Sequence, residues 1–236
     1  MKRTIDFEKM KAFKKTEKLG KNRFKDNGCL DGSRVILGNP WPHDYINANY
    51  VSTPINQKRF ICTQFREGDQ KIGVKLESAK RLELPRHCQP AVFEKVVTIE
   101  GPGGLTQKVT HYHFTQWRQG GVPPLDTTIL ELLNVVKATK TPIVIHGSAG
   151  IGRPGVVMMA QYAMDQYHSG QEIEDSDKIL LKIREQRNNA VQKGGQYVFV
   201  HQLLLDYFRK TEKLFEGRDY KVVQWFDKEY RRCNFF

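Results

Sequence analysis

The chain has 236 residues, 39% of them hydrophobic and 27% charged, and Lys and Arg outnumber Asp and Glu by 12. This composition is typical of a globular protein with a full core and excludes low-complexity proteins. The longest apolar runs, such as residues 143–145, are too short to cross a bilayer, and the first residues lack an apolar signal segment. We therefore expect a cytoplasmic protein with a single domain over residues 1–236.

The net positive charge favours acidic partners. Residues 1–25 contain ten Lys and Arg against three Asp and Glu, a pattern we interpret as the solvated face of a helix rather than a binding patch. Phosphorylated proteins are the favoured partners, an anionic membrane surface stays open, and nucleic acid is disfavoured. The four cysteines are widely scattered, which predicts reduced thiols and disfavours a structural zinc site. We expect no metal and no cofactor.

Hydrophobic periodicity and turn residues predict the elements in chain order. Residues 1–20 are expected to form an N-terminal helix over 6–18 that ends at Gly20. Six strands then follow at residues 34–37, 46–51, 59–63, 71–76, 92–100 and 106–114. Helices are predicted at 128–137, 154–168, 176–187 and 197–214, with a strand at 142–145 and a basic, aromatic tail over 215–236. This order predicts an α/β (α+β) fold with a mixed, twisted central sheet flanked by helices.

The segment from residue 143 to residue 153 is the most informative part of the chain. An apolar strand leads into a loop of small residues, the loop ends at Arg153, and a helix begins near Pro154. Such a loop directs backbone N–H groups at one point in front of a helix N-terminus, which suits a dianion. Arg153 adds a planar donor for two phosphate oxygens.

This segment resembles the signature loop of the tyrosine-specific protein phosphatases, usually His-Cys-Ser-Ala-Gly-x-Gly-Arg followed by Thr or Ser. Four further blocks occur in that family's order. Residues 21–26 are similar to its substrate-recognition loop, residues 34–35 and 44–48 to the strands that follow, residues 117–123 to its mobile Trp-Pro-Asp loop, and residues 191–197 to its Gln-Thr-x-x-Gln-Tyr segment.

The resemblance implies that the catalytic positions have lost their chemistry. Gly147 stands where the family has its nucleophilic Cys, so no covalent phosphoenzyme can form there. Gln119 stands where an Asp protonates the leaving oxygen, and loss of general acid help alone costs about 10²–10⁴ in rate. Pro154 replaces a hydroxyl residue after the loop Arg. We therefore expect a catalytically degenerate homologue, a pseudophosphatase that is not an enzyme.

The residues that the resemblance expects to bind phosphate and the peptide are still present. The resemblance assigns phosphate binding to Ser148, Ala149, Gly150, Ile151, Gly152 and Arg153, phosphotyrosine or peptide recognition to Phe24 and Asp26, and relic water-positioning roles to Gln192 and Gln196. Structural interpretations stay open: Phe24 as a core residue, Asp26 as a turn former. His111 and His113 lie on one face of a strand, and without a nearby third ligand we interpret them as structural.

One family block is missing. After Gln64 the family continues with a Trp-containing helix, whereas this chain proceeds almost directly to the next strand, so we predict that a helix is deleted and a sheet face is left exposed. The compact, diverged form is similar to the degenerate tyrosine phosphatases of polydnaviruses (bracoviruses) of parasitoid wasps. That similarity implies interference with phosphotyrosine signalling and immunity in the cytoplasm of an infected host cell.

Three functional hypotheses follow from the sequence. The first is a pseudophosphatase that binds phosphotyrosine peptides or signalling partners without turnover. The second is residual tyrosine phosphatase activity, for which Ser148 is the neighbouring hydroxyl. The third is an interaction protein that acts through its basic surface and carries a relic pocket; Cys233, four residues from the end, stands at the spacing used for prenylation, although Asn234 is not aliphatic.

Overall fold

A computed structural model describes residues 6–41, 43–64, 72–211 and 220–232. Within these ranges the chain forms seven strands and six α-helices. The strands are β1 (Arg34–Ile36), β2 (Tyr45–Thr53), β3 (Asn56–Gln64), β4 (Gly73–Arg81), β5 (Val92–Glu100), β6 (Thr106–Phe114) and β7 (Ile143–Gly147). The helices are α1 (Lys11–Lys15), α2 (Thr128–Val136), α3 (Gly152–His168), α4 (Ser176–Arg184), α5 (Gly194–Thr211) and α6 (Tyr220–Arg232).

The strands form two sheets. The first has the order β1-β2-β3-β7 and is mixed, because β7 runs parallel to β3 while the other pairs are antiparallel. The second is the antiparallel meander β4-β5-β6. The predicted mixed α+β fold is confirmed, but the strands divide between two sheets instead of forming one central sheet. Periodicity identifies a strand without identifying its neighbour, so the sequence did not reveal this division.

The predicted N-terminal helix is wrong in its length. Only Lys11–Lys15 are α-helical, between single 3₁₀ turns at Phe7–Lys9 and Glu17–Leu19, and Gly20 ends the segment with a φ of 59°. The Asp31 carboxylate accepts hydrogen bonds from the Lys11 and Ala12 N–H groups, at 2.6 and 3.0 Å. This distant cap fixes where α1 begins. A small second core then forms from Met10, Phe13, Cys29, Leu30 and Tyr45.

The predicted deletion falls on residues 65–71, which lie outside the described residues. The strand that follows, β4, is exposed along its whole length, and Val74 and Leu76 retain 65% and 56% of their accessible surface. Its last five residues extend beyond the predicted end at residue 76. The predictions for β5 and β6 match the observed bounds. Cys233 and the end of the tail also lie outside the described residues.

The main core is built around α3, which is buried along most of its length and packs against α2, α4, α5 and the first sheet. Helix α5 begins at Gly194, three residues before the prediction, and the tail contains α6. None of the helices among the described residues is long and apolar enough to cross a membrane. The strand–loop–helix unit from β7 to α3 therefore lies at the centre of the fold, where its shape is fixed from several sides.

Candidate functional site

Two glycines allow the loop between β7 and α3, and the first turn of α3, to pack closely against neighbouring backbone. Gly150 has a φ of +70°, and a Cβ there would lie 2.4 Å from the Thr63 carbonyl carbon and 2.5 Å from the Gln64 nitrogen. A Cβ on Gly155 would lie 2.2 Å from the Val191 nitrogen. No side chain fits at such distances, so both positions require glycine. The loop is pressed against β3 on one side, and the first turn of α3 against residue 191 on the other.

Arg187 holds the loop from behind. This fully buried side chain donates from Nε to the Gly150 carbonyl at 3.1 Å and from Nη2 to the Ala149 carbonyl at 3.5 Å. Its Nη1 donates to the amide oxygens of Asn47 and Asn49 on β2, at 2.8 and 2.7 Å. Burial lowers the pKa of Arg187, but an arginine stays charged at neutral pH. A fixed positive charge therefore lies behind the loop between β7 and α3.

Sequence reasoning missed Arg187, because its partners lie 37 to 140 residues away along the chain. The signal available was weak: Asn47 and Asn49 alternate on one face of a strand, and both are buried. Buried amides need partners, so an internal donor could have been expected, but nothing in the sequence identified this Arg as that donor.

Arg153 points into the pocket in front of the loop. It donates from Nη1 to the Trp117 carbonyl at 3.2 Å, and a Cβ on Gly147 would lie 3.5 Å from its Nε and 3.7 Å from its Nη2. The guanidinium thus lies beside the place where a side chain at residue 147 would begin. Burial lowers the pKa of Arg153, as expected for a cation drawn partly out of water.

Gly147 has room for a side chain. Its φ is not in the left-handed region, and a Cβ there would meet Pro154 Cδ at 3.4 Å, which is ordinary contact. Pro154 is the third residue of α3 and is buried. The proline ring has no N–H to donate. Neither residue supplies a nucleophile or a proton donor to the pocket.

The loop over the pocket is held by its own contacts. Trp117 is buried against Phe114 and Phe199, with ring centroids 5.7 and 6.4 Å away, and its Nε1 donates to the Gly121 carbonyl at 3.0 Å. Arg118 and Gln119 are exposed. Because Arg153 also binds the Trp117 carbonyl, the loop over residues 117–121 is closed onto the pocket.

Most of the predicted residues come together in this pocket. Its lining consists of Gln119, Gly120, Gly147, Ser148, Ala149, Gly150, Gly152, Arg153, Pro154 and Gln192. The Ser148 hydroxyl oxygen is buried and has no hydrogen-bond partner within the described residues. The cavity measures about 10 Å³, roughly the space that one water molecule needs.

Four predicted residues do not line the pocket. The Ile151 side chain is fully buried in the fold. Phe24 is half-buried, with the Arg23 guanidinium carbon 5.5 Å from its ring centroid, and Asp26 is exposed. The fourth is Gln196.

Both ends of the Gln196 side-chain amide make hydrogen bonds within the protein. Its Oε1 accepts from the Gln192 and Lys193 N–H groups at 3.0 and 3.2 Å, and its Nε2 donates to the Gly121 carbonyl at 3.2 Å. Gln196 is the third residue of α5, and a Gln at that position commonly reaches back to cap the helix N-terminus. The residue therefore caps α5 and ties it to the loop over the pocket, a role the sequence prediction did not include.

Gln64 links the predicted recognition loop to the site. Its Oε1 accepts from the Arg23 N–H at 3.2 Å, and its Nε2 donates to the Lys21 carbonyl at 3.1 Å. In the first sheet Gln64 is also paired with Gly147. One buried side chain thus connects residues 21–23 to the strand beside the loop. Sequence reasoning did not identify it.

A histidine pair bridges the two sheets next to the site. The Nε2 atoms of His111 on β6 and His146 on β7 are 3.1 Å apart, and His113 stacks on His111 with centroids 5.8 Å apart. Burial is the main cause that lowers the pKa of both His111 and His146. No group of three or more His, Cys, Asp or Glu side chains that could hold a metal occurs in the described part of the chain.

Comparisons with known proteins identify the family of the chain. The family profile described as "Protein-tyrosine phosphatase" matches residues 18–66 and 70–206. The chain is 29% identical to mouse receptor-type tyrosine-protein phosphatase alpha, a match that covers 84% of this chain and 30% of that protein. It is 26% identical to human tyrosine-protein phosphatase non-receptor type 12, covering 86% and 32%. The chain thus spans about a third of the length of these relatives.

Solved structures show the same fold. The catalytic domain of human protein tyrosine phosphatase non-receptor type 18 superposes with a TM-score of 0.68 at 21% identity, covering 84% of this chain and 88% of that one. A structure of PTPN18 in complex with HER2-pY1248 phosphopeptides gives a TM-score of 0.67 at 22% identity, covering 84% and 91%. Together with the profile match over most of its length, these findings show that the chain belongs to the protein-tyrosine phosphatase family.

Proposed function

We propose that the chain is a pseudophosphatase, which binds phosphotyrosine peptides through the loop over residues 147–153 and does not hydrolyse them. One observation carries the proposal: the Arg153 guanidinium points into the pocket beside Gly147, a residue without a side chain. The pocket therefore keeps a donor for phosphate oxygens and lacks an attacking atom at that place. The buried charge of Arg187 behind the loop supports anion binding in the same way.

Two further features support loss of turnover. Gln119 lines the pocket, and an amide has no proton to give at a useful pKa. The Ser148 hydroxyl has no hydrogen-bond partner within the described residues, so no base activates it there. We infer that neither step of a covalent phosphoryl transfer has the group it needs. The structural relatives named above include PTPN18 bound to phosphopeptides, and a similar ligand is the one proposed for this chain.

Binding requires an opening step. The pocket holds about 10 Å³, so we infer that the loop over residues 117–121 moves outward before a phosphoryl group enters. Trp117 is 7% exposed in the closed loop. A phosphopeptide should therefore change the environment of this indole, and its fluorescence reports the opening.

Calorimetric titration tests the proposal. A phosphotyrosine peptide should bind, and its unphosphorylated twin should bind much more weakly. Arg153→Ala should weaken phosphopeptide binding about 10- to 100-fold, since charge-assisted hydrogen bonds contribute about 1.5–3 kcal/mol. Arg86→Ala, an exposed arginine outside the pocket lining, serves as the matched control and should bind like wild type. Equal binding of the two peptides contradicts the phosphate-specific role.

The wider role is also a proposal. We place the protein in the cytoplasm, where it binds phosphorylated signalling proteins and shields their phosphotyrosines. In a viral setting, such shielding would interfere with host signalling and immunity. Expression in cells with a tracked phosphotyrosine readout tests this. Sites protected by wild type and not by Arg153→Ala support it, whereas identical phosphorylation with either protein contradicts it.

A further inference from the structure

One face of α6 is fixed against the rest of the fold. Val223 and Tyr230, seven residues apart, are 5% and 3% exposed. Between them Asp227 accepts hydrogen bonds from Gln202 and, at 2.8 Å, from Arg209, both of which belong to α5. Residues spaced by seven lie on the same side of a helix. This packing determines which face of α6 is directed away from α5.

The opposite face is basic and carries an exposed tryptophan. Lys221, Trp225, Lys228 and Arg232 follow each other at intervals of four, three and four residues, so they form one stripe. All four are exposed, Trp225 by 62%, and the neighbouring Val222 is exposed by 64%. A large aromatic side chain left this open beside basic residues is a marker of an interaction site.

The charges on this face have few partners of their own. Glu229 pairs with Arg232 at 2.8 Å. For Lys221 and Lys228, the other two cations of the face, no ion pair is found among the residues that the structure describes. The face therefore presents unneutralised positive charge around an indole ring, on a protein whose net charge is already +12. Such a surface attracts an extended anionic partner.

We propose that this outer face of α6, formed by Lys221, Trp225, Lys228 and Arg232 with Val222 beside them, docks on an anionic phospholipid membrane. Lys221 and Arg232 are about 16 Å apart along the helix axis. Cations spread in a line do not converge on one small anion, but they match a plane of lipid headgroups. Tryptophan is the residue that settles at the boundary between headgroups and acyl chains.

The apolar spot favours a membrane over nucleic acid. Val222 and Trp225 are three residues apart and adjacent on the helix surface. A bilayer boundary buries both side chains, with the basic residues on either side in contact with headgroups. Nucleic acid would use the indole for base stacking and would leave Val222 in water. The surface lies on α6, away from the pocket residues, so the proposal does not depend on phosphotyrosine binding.

Vesicle co-sedimentation with the full chain tests the proposal. The protein should bind vesicles of phosphatidylcholine mixed with phosphatidylserine, should not bind phosphatidylcholine alone, and should be released by high salt. Lys221→Glu with Lys228→Glu should lower the partition coefficient at least 25-fold, from about fivefold for each cation removed. The control pair Lys137→Glu and Lys140→Glu makes the same change in net charge at exposed lysines near α2 and should lower it much less.

Tryptophan fluorescence separates docking from simple charge attraction. Anionic vesicles should shift the emission of the wild type to the blue, and Trp225→Phe should remove that shift while the two less exposed tryptophans report folding. Equal loss of binding in the α6 pair and the control pair would overturn the proposal. So would vesicle binding unaffected by the α6 variants, including the case in which those variants lose binding to a DNA duplex instead.

Discussion

The two sides of the loop over residues 147–153 differ in what they retain. Behind the loop, Arg187 is fully buried, and each of its three guanidinium nitrogens donates to an oxygen of the loop or of β2. In front of it, Gly147 and Pro154 offer no reactive group, and Gln119 is an exposed amide. The residues that hold the shape of this loop are thus separate from the residues at its front, so the shape of the loop does not depend on a reactive group there.

The largest effect should come from the back of the loop. Arg187→Met leaves two amide oxygens and two carbonyls without their charged donor, and each buried unsatisfied group costs about 1–3 kcal/mol. We expect a loss of about 4 kcal/mol or more in the free energy of unfolding, measured by urea denaturation. Arg81→Met, at an exposed position on β4, is the control and should change stability by less than about 0.5 kcal/mol.

Substitutions at Gly147 and Gln119 should restore phosphatase turnover only when they are combined. Gly147→Cys fits the available space but leaves the leaving oxygen without an acid. Adding Gln119→Asp to that variant should raise turnover of a phosphotyrosine peptide by about 10²–10⁴. An aspartate placed one residue away, by Arg118→Asp in the same background, should give no such gain. Equal turnover of all three variants would show that residue 119 does not reach the leaving group.

Glycine substitutions compare the two sides directly. Gly150→Ala forces a Cβ to within 2.4 Å of the Thr63 carbonyl carbon at a positive φ, and we expect it to lower the free energy of unfolding by about 2–3 kcal/mol. Gly147→Ala meets only ordinary contacts and should change stability by less than about 1 kcal/mol. Thermal unfolding of both variants measures the difference. Similar losses at the two positions would contradict the described path of the loop.

The smallest effect concerns the histidine bridge between the sheets. Because folding lowers the pKa of His111 and His146 below the ordinary value of 6.5, the unfolded chain binds more protons between the two pKa values. The contribution of these two neutral histidines to the free energy of unfolding is therefore complete above about pH 6.5. It is lost as the pH falls towards their pKa values in the folded protein. His111→Asn should flatten the decline in melting temperature below pH 6.5, and His43→Asn should not.

The sequence predicted local features well and distant partnerships poorly. The bounds of β5 and β6 and the glycine-rich turn into α3 follow from neighbouring residues, so they could be predicted. Arg187 binds Asn47 and Asn49, which precede it by 140 and 138 residues, and no local pattern indicated that contact. The predicted length of the N-terminal helix was wrong for the same reason, because Asp31 caps α1 from about twenty residues away. The capping role of Gln196 could be predicted from its position as the third residue of α5, but only once the start of that helix was known.

Phosphorus NMR of a phosphotyrosine peptide mixed with the protein tests the central claim most directly, because one spectrum reports binding and hydrolysis together. We predict that the peptide resonance shifts or broadens with wild type and not with Arg153→Ala, and that no inorganic phosphate signal grows with either. An inorganic phosphate signal that grows with wild type and is absent with Arg153→Ala would mean that this pocket catalyses hydrolysis and would contradict the account.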